Sequence, residues 1–299
     1  MAVYKRAYKP YEGGLTGDGW RWLVLTRYAL ARLFDSKLAI GFMVACYIFP
    51  VFAGATIYLR HNLGLLADLG ANAANLFAAD SNFFAAFLSV QGFFSFLFTA
   101  WAAPGLIAPD LSNNALPLYL CRPISRAEYV AGKMAVLAIP LSLITWVPGV
   151  ILWSLEAGLD DTGWGGNNLH LALGTFLGSW LWIGLLALLG LALSAWVKWK
   201  IAASALLFGI FFISAAFSAI VNEVLDTKLG YLLNLGHVIG TLWGRMLQVS
   251  PRRTLLGELF DIRTGDEIPI WAAWMAVAGI SAVCVALLNR KLRAKEVVS

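Results

Sequence analysis

Residues 110–133 read DLSNNALPLYLCRPISRAEYVAGK and separate two long apolar runs. This partly polar stretch contains a short apolar cluster made of Leu116, Leu118, Tyr119 and Leu120. Pro123 ends any helix that carries the cluster, because proline cannot continue a helix. Ser125 and Glu128 have the Ser-x-x-Glu spacing of a capping box. We therefore predict a hairpin between two helices, the second of which begins at about Arg126.

The composition is that of an integral membrane protein. Hydrophobic residues make up 60% of the 299 residues and charged residues only 13%, whereas a soluble chain carries about 25% charged residues. Six apolar runs reach the roughly 20 residues that a helix needs to cross the hydrocarbon core. They cover residues 38–58, 83–107, 133–155, 169–197, 201–221 and 269–289. We predict an all-α, polytopic membrane protein with six transmembrane helices.

The distribution of Lys and Arg predicts the orientation. Of the 22 such residues, 16 fall in segments 1–37, 108–133, 198–200 and 290–299. The loops on the other side contain Arg60 and the acidic residues Glu156, Asp160 and Asp161. The remaining five basic residues lie in the long segment 222–268, and long segments follow the charge rule poorly. The hairpin and both termini are therefore expected in the cytoplasm, and the net charge of +5 needs no nucleic-acid partner to explain it.

The termini and the segment before the last span complete the predicted organisation. Within the cytoplasmic segment 1–37, residues 20–37 are amphipathic at helical period, with Arg21, Arg32 and Asp35 opposite Trp20, Leu23, Leu30 and Phe34. Such a helix lies flat on the membrane surface. The six-span domain is predicted to cover residues 38–289, and residues 290–299 to form a basic cytoplasmic tail.

The long outer segment, 222–268, contains an apolar stretch of only 16 residues, 229–244. Asn234, His237, Thr241, Arg245 and Gln248 recur every three or four residues, so they are predicted to share one helix face. Gly236, Gly240 and Gly244 form a neighbouring stripe of small residues. A re-entrant or surface-lying helix fits this pattern. A glycine-rich packing helix with a solvated edge fits it as well.

The hairpin, residues 109–133, resembles the coupling loop between the second and third spans of the type-2 permeases of ATP-binding-cassette (ABC) exporters, which implies that residues 38–289 form a six-span permease domain. The residues that carry this resemblance are the Leu-rich segment 116–120, Arg122-Pro123, Ser125-Arg126 and the Tyr-x-x-Gly-Lys motif at 129–133. The resemblance implies that the N-terminal amphipathic helix is an elbow helix and that 229–244 corresponds to short re-entrant helices. It also implies a separately encoded ATPase that receives the hairpin, with ATPase-docking residues Leu116, Leu118, Tyr119, Leu120, Arg122 and Arg126.

Catalysis by the chain itself is not expected. A P-loop requires GxxxxGK followed by Ser or Thr, but Gly132-Lys133 is followed by Met134. ATP would therefore be bound by the partner ATPase. The three histidines and three cysteines lack the spacing of a metal site, so no metal or cofactor is predicted. The predicted spans contain no Asp or Glu, which argues against an intramembrane enzyme and against a proton-coupled transporter.

Two groups of polar residues are candidates for the transport route. Gln91, Ser95 and Thr99 form a stripe on the second span, and Ser214 and Ser218 are paired on the fifth. In the permease family these spans surround the pathway, so the five residues are candidate pathway residues. Hydrogen bonding between helices explains such stripes equally well. The candidate residues of an outer gate are His237, Thr241 and Gln248.

The sequence thus favours the permease subunit of an exporter in a bacterial-type inner membrane. It would pair with a second copy or a sister permease and with two cytoplasmic ATPase subunits, surrounded by membrane lipid. The uncharged stripes favour a lipid-linked, amphiphilic or drug-like cargo. One alternative is a membrane scaffold or assembly subunit that docks a cytoplasmic protein without transport. A second alternative is a secondary transporter, which the lack of intramembrane charge disfavours.

The topology can be tested with single cysteines introduced at Asn114, Asn167 and Ala294 of a cysteine-free chain. We expect a membrane-impermeant thiol reagent to label position 167 in intact cells, and positions 114 and 294 only after the membrane is disrupted. Labelling of 114 or 294 from outside would contradict the orientation. Protection of position 167 would contradict the number of spans.

Overall fold

The computed structural model describes residues 20–62, 78–116, 119, 124–160, 162–249 and 268–293. Every regular element within these residues is a helix. In chain order they are α1 Arg21–Phe34, α2 Lys37–Cys46, α3 Ile48–His61, α4 Ser81–Ala102, α5 Pro104–Ser112, α6 Arg126–Ile144, α7 Trp146–Leu159, α8 Trp164–Asn167, α9 Leu169–Trp196, α10 Lys200–Leu225, the 3-10 helix Leu229–Leu233, α11 Leu235–Met246 and α12 Ile270–Arg293.

Six helical stretches in this part of the chain are long and apolar enough to cross a membrane, which confirms the predicted all-α, six-span layout. They cover Lys37–His61, Ser81–Ser112, Arg126–Leu159, Leu169–Trp196, Lys200–Leu225 and Ile270–Arg293. The second, third and fifth stretches extend beyond the ends predicted from hydropathy, and so they include Asp110, Glu128, Glu156 and Glu223. The expectation of spans without acidic residues therefore does not hold for the full length of these three helical stretches.

Three of the spans consist of two helices that meet at a single residue: Tyr47, Ala103 and Thr145. In each case a proline lies within the first three residues of the second helix, namely Pro50, Pro104 and Pro148. Proline is tolerated there because the first N–H groups of a helix have no intrahelical partner. Pro140, by contrast, lies inside α6 without ending it.

The fourth span, α9, is the centre of the bundle and packs against α4, α5, α6, α7, α10, α11 and α12. On one side, Trp243 of α11 reaches the bundle core. A Cβ atom at Gly92 or Gly178 would lie 2.7 or 2.8 Å from the Trp243 ring, so only glycine leaves room for it. The indole N–H of Trp243 donates to the Gly178 carbonyl at 3.0 Å. This contact fixes α11 against the spans.

The two ends of the bundle carry different residues. We call the end at which Ser112 and Arg126 lie the hairpin end. Interhelical hydrogen bonds place α1, the last turns of α9 and α12 and the first turn of α10 at this end. Thr26 of α1 bonds Gly132 of α6, Trp196 of α9 bonds Leu287 of α12, and Ser204 of α10 bonds Ala100 of α4. The N-terminus of the first span and the C-terminus of the last span thus lie at the hairpin end. The opposite end carries His61 and Glu156.

Candidate functional site at the hairpin end

Two residues of the predicted apolar cluster, Leu116 and Tyr119, lie in the described part of the chain. Leu116 is 1% exposed and belongs to the hydrophobic core. In the chain alone Leu116 therefore contributes no exposed surface, and its role in docking stays a prediction. The half-buried Tyr119 packs its ring 5.8 Å from the ring of Tyr129. Three of the predicted docking residues lie outside the described residues: Leu118, Leu120 and Arg122.

The second arm of the hairpin begins where the sequence predicts. The backbone N–H of Glu128 donates to Ser125 Oγ at 3.2 Å, and the N–H of Ser125 donates to Glu128 Oε2 at 2.6 Å. This reciprocal pair is a complete capping box, and α6 begins at Arg126. Two N–H groups at the helix start are satisfied in this way without a distant partner. The start of α6 is consequently fixed by hydrogen bonds within its own first turn.

An ion pair between a buried lysine and a partly buried carboxylate joins the two helices that flank the hairpin. Lys133 Nζ of α6 lies 2.7 Å from Asp110 Oδ2 of α5 and donates to the Leu106 carbonyl at 2.8 Å. The Tyr129 hydroxyl donates to the same Asp110 oxygen at 2.7 Å. Both Lys133 and Tyr129 are buried, at 6% and 1% exposure. We call Asp110, Tyr129 and Lys133 the hairpin lock.

The spacing of these residues explains their convergence. Tyr129 and Lys133 are four residues apart on α6, and Leu106 and Asp110 are four apart on α5, so each pair occupies one helix face. The two faces meet because the hairpin makes the helices neighbours. From the sequence, residues 129–133 are recognised only as part of a motif. The signal that could have revealed the ion pair is a carboxylate on the helix before the turn and a lysine on the helix after it.

The amphipathic helix α1 is attached to the same arm. Thr26 Oγ1 donates to the Gly132 carbonyl at 3.0 Å. A Cβ atom at Gly132 would lie 3.2 Å from the Trp22 carbonyl, so the two backbones approach closely there. The face turned to the bundle includes Leu25 and Leu33. Trp20, which we expected on the apolar face, is instead 66% exposed.

The polar stripe of the second span forms hydrogen bonds inside the bundle, although Gln91 Oε1 has no partner among the described residues. Gln91, Ser95 and Thr99 are fully buried. Gln91 Nε2 donates to the Cys46 carbonyl at 3.0 Å, and Trp182 Nε1 donates to Ser95 Oγ at 2.9 Å. Thr99 Oγ1 bonds the Ser95 carbonyl of its own helix. Within this single chain the stripe therefore joins helices, as the packing interpretation expects.

The paired serines of the fifth span are separate from this stripe. Ser214 Oγ donates to the Phe211 carbonyl, one turn earlier on α10. Ser218 is buried, and its Oγ has no hydrogen-bond partner among the described residues. No hydrogen bond of the described residues connects the two predicted pathway groups.

Between Leu229 and Met246 the predicted outer segment contains a 3-10 helix and α11, and α11 carries two of the three predicted gate residues. Asn234 caps α11 by accepting the His237 N–H at 3.1 Å. His237 and Thr241 are buried, and the His237 ring stacks on Tyr231 at 4.1 Å. The predicted polar face is therefore turned inward over its first two turns.

Gln248 does not share that face, because α11 ends at Met246. Gln248 has a left-handed backbone with φ of 53°. The Val249 N–H reaches the Gly244 carbonyl at 2.9 Å and the Gln248 N–H reaches Arg245 at 3.3 Å, which is the Schellman pattern of a helix C-terminus. The prediction of a continuous face up to Gln248 was wrong. Residues 250–267 lie outside the described part of the chain.

The opposite end carries a second buried carboxylate. Glu156 is fully buried, and its two oxygens face the Arg60 guanidinium and His61 Nε2, the latter at 3.3 Å. Nearby, hydrogen bonds from the Thr162 hydroxyl and from the Trp164 and Thr162 N–H groups lower the pKa of Asp160. In the described residues no group of His, Cys, Asp and Glu could hold a metal ion.

Comparison with known proteins adds no assignment: no family model matches the chain, and no curated protein matches it.

The hairpin lock can be tested by a double-mutant cycle. Replacing Lys133 by Met leaves the Asp110 carboxylate, whose side chain is 17% exposed, without its counterion, and the cost should lie below the roughly 3–5 kcal/mol that is typical of a fully buried pair. We expect the midpoint of thermal unfolding in detergent to fall clearly in Lys133→Met and to recover in part when Asp110→Leu is added. Lys198→Met, which removes an exposed lysine of the same end, is the control and should leave the midpoint unchanged. Equal midpoints for Lys133→Met and the parent would show that the lock does not hold the hairpin.

Proposed function

We propose that the chain is the transmembrane permease subunit of an ABC exporter and that the hairpin end receives a cytoplasmic ATPase. The observation that carries this proposal is the hairpin lock under a short capped turn. An element that transmits movement from an ATPase to the spans must be attached to them rigidly. The locked base provides this, and α1 is attached to the same helix at Gly132.

The charge asymmetry supports a cytoplasmic location of the hairpin end. This end carries the basic residues Lys37, Arg126, Lys198, Lys200, Arg290, Lys291 and Arg293. The opposite end carries the carboxylates Glu156, Asp160, Glu223 and Asp226. A Lys and Arg excess marks the cytoplasmic side of a multi-pass protein. The termini of the first and last spans, like the hairpin, would then lie in the cytoplasm of a bacterial-type inner membrane.

A single copy does not account for all the apolar surface. The first, fifth and last spans are mostly exposed in the chain alone, and α10 exposes large side chains such as Phe212 and Ile213. Lipid covers part of such a surface, and a second copy or a sister permease covers the rest. With two ATPases, this pair would form the exporter. Its cargo pathway would run between the two permeases, for a lipid-linked, amphiphilic or drug-like substrate.

The mechanism assigns a role to each part of the hairpin end. Closure of the two ATPases on ATP would displace the hairpins, and the lock would transmit this displacement to α5 and α6 together. The breaks at Ala103 and Thr145 lie further along the same spans and would let the halves of each span tilt separately. The elbow position proposed for α1 would keep the moving unit at the membrane surface. ATP itself would be bound and hydrolysed by the partner.

The alternative of a scaffold or assembly subunit is favoured by one observation. Gln91, Ser95 and Thr99 are engaged within the chain, so they do not line an open route in the state described. A scaffold would bind a cytoplasmic protein at the same hairpin without stimulating its ATP hydrolysis. Substrate-dependent hydrolysis therefore separates the two functions.

Docking at the hairpin can be tested with Leu118→Asp combined with Leu120→Asp, and separately with Tyr119→Ala. Anchor residues of an interface typically cost about 2 kcal/mol or more when truncated. We expect both variants to lose ATPase co-purification, and with it ATPase stimulation, while the unfolding midpoint of the Asp variant stays near that of the parent. Leu229→Asp, an exposed leucine of the opposite end, is the matched control. Normal pull-down and stimulation in the double Asp variant would exclude the hairpin as the docking site.

A further inference from the structure

A cavity of about 760 Å³ opens at the hairpin end between α1, the α4–α5 junction and the start of α10. Its volume lies in the range of small-molecule binding sites, roughly 300–1,000 Å³. Neither the proposed docking of an ATPase nor the hairpin lock requires a cavity at this place. The lining has two chemically different parts, and together they define the class of ligand that fits.

The first part of the lining is apolar. It comes from four helices, and its large members include Leu25, Leu33, Trp101, Leu106, Pro109 and Ile201. Ile201 is 85% exposed at the start of α10. From it the cavity continues onto the exposed apolar surface of α10. An acyl chain could follow this surface without leaving an apolar environment.

The second part of the lining is cationic. Arg32, Lys133 and Lys200 face the cavity, and Asp110 is its one carboxylate among the described residues. Asp110 is paired with Lys133 at 2.7 Å, so these two charges cancel. Arg32 and Lys200 form no salt bridge with a described carboxylate. The cavity therefore keeps two positive charges that a bound anion can neutralise.

The position of the cavity along the bundle limits the ligand further. Lys200 begins the fifth span, and Asp110 lies near the end of the second. The cavity is consequently at the level where the hydrocarbon of one leaflet meets its headgroups. At this level a ligand has its charged group toward water and its apolar part toward the membrane. Tyr28 and Ser36 add hydroxyl groups at the rim, where a headgroup would meet them.

We propose that this cavity binds an anionic phospholipid, with the phosphate between Arg32 and Lys200 and an acyl chain along α10. A neutral phospholipid would leave the two cations uncompensated, and a soluble phosphate would leave the apolar walls unused. The lipid would connect α1 to the fifth span, two elements on either side of the hairpin lock. The proposal depends on the assignment of the spans and not on transport, so it stands or fails separately from the exporter function.

The test measures lipid binding to the purified full-length chain in detergent. Phosphatidylglycerol is titrated against phosphatidylcholine with the same acyl chains, and bound lipid is counted by native mass spectrometry. Each basic residue near an anionic headgroup typically contributes enough to change affinity several-fold. We expect the double variant Arg32→Gln with Lys200→Gln to bind phosphatidylglycerol about tenfold more weakly or worse. Phosphatidylcholine should bind the parent weakly and the variant to the same extent.

The matched control is Arg290→Gln with Arg293→Gln, which removes two exposed charges from the same end outside the cavity. This variant should bind phosphatidylglycerol like the parent. Equal losses of phosphatidylglycerol affinity in the two double variants would show that the lipid is attracted by surface charge in general, and would overturn the proposal. Strong binding of glycerol 3-phosphate alone would also overturn it, because it would assign the site to a soluble anion. Binding of phosphatidylglycerol only after removal of residues 1–19 would show that the chain's own N-terminal segment occupies the cavity, and would equally contradict it.

Discussion

The ion pair between Lys133 and Asp110 is the interaction on which the hairpin end depends. A buried ion pair contributes little net stability, because desolvation of the charges offsets most of their attraction. Its loss is nonetheless costly, since Lys133 alone would be a buried uncompensated charge and Asp110 alone would be only 17% exposed. The Tyr129 hydroxyl and the Leu106 carbonyl occupy further hydrogen-bonding positions of the two groups. The pair therefore allows one arrangement of α5 and α6 and excludes others, and α1 is attached to that arrangement.

Polar groups inside the spans are constrained as well, because a polar group within a membrane must find its hydrogen-bond partner inside the protein. The break between α4 and α5 is one example. Ser194 Oγ accepts the Ile107 and Ala108 N–H groups at 3.0 and 3.1 Å and donates to the Pro104 carbonyl at 3.0 Å. One hydroxyl from the central span thus satisfies backbone groups at the start of α5. Prolines can interrupt the second span because a neighbouring helix supplies these bonds.

The parts of this fold that depend on local sequence could be predicted. Span positions follow from apolar length, and the start of α6 follows from Ser125 and Glu128, whose side chains reach only their own helix turn. Contacts between residues that are distant in the sequence could not be predicted. Burial of Leu116 depends on which face of the turn meets the bundle, and four neighbouring apolar residues do not reveal this. Gln248 ends α11 through its left-handed backbone without the glycine that commonly marks such a position. Asp110 was excluded from the second span because hydropathy places the end of a helix at its last apolar residues.

The most direct test purifies the chain from its native membranes together with any protein bound to it. The purified complex is reconstituted in liposomes, and its ATP hydrolysis is measured. The account predicts a nucleotide-hydrolysing protein in equimolar amount, with hydrolysis that responds to transported substrate. It also predicts that Lys133→Met, which leaves every proposed docking side chain in place, weakens this response more than it weakens co-purification. Purification of the intact, folded chain without any nucleotide-hydrolysing partner would contradict the account.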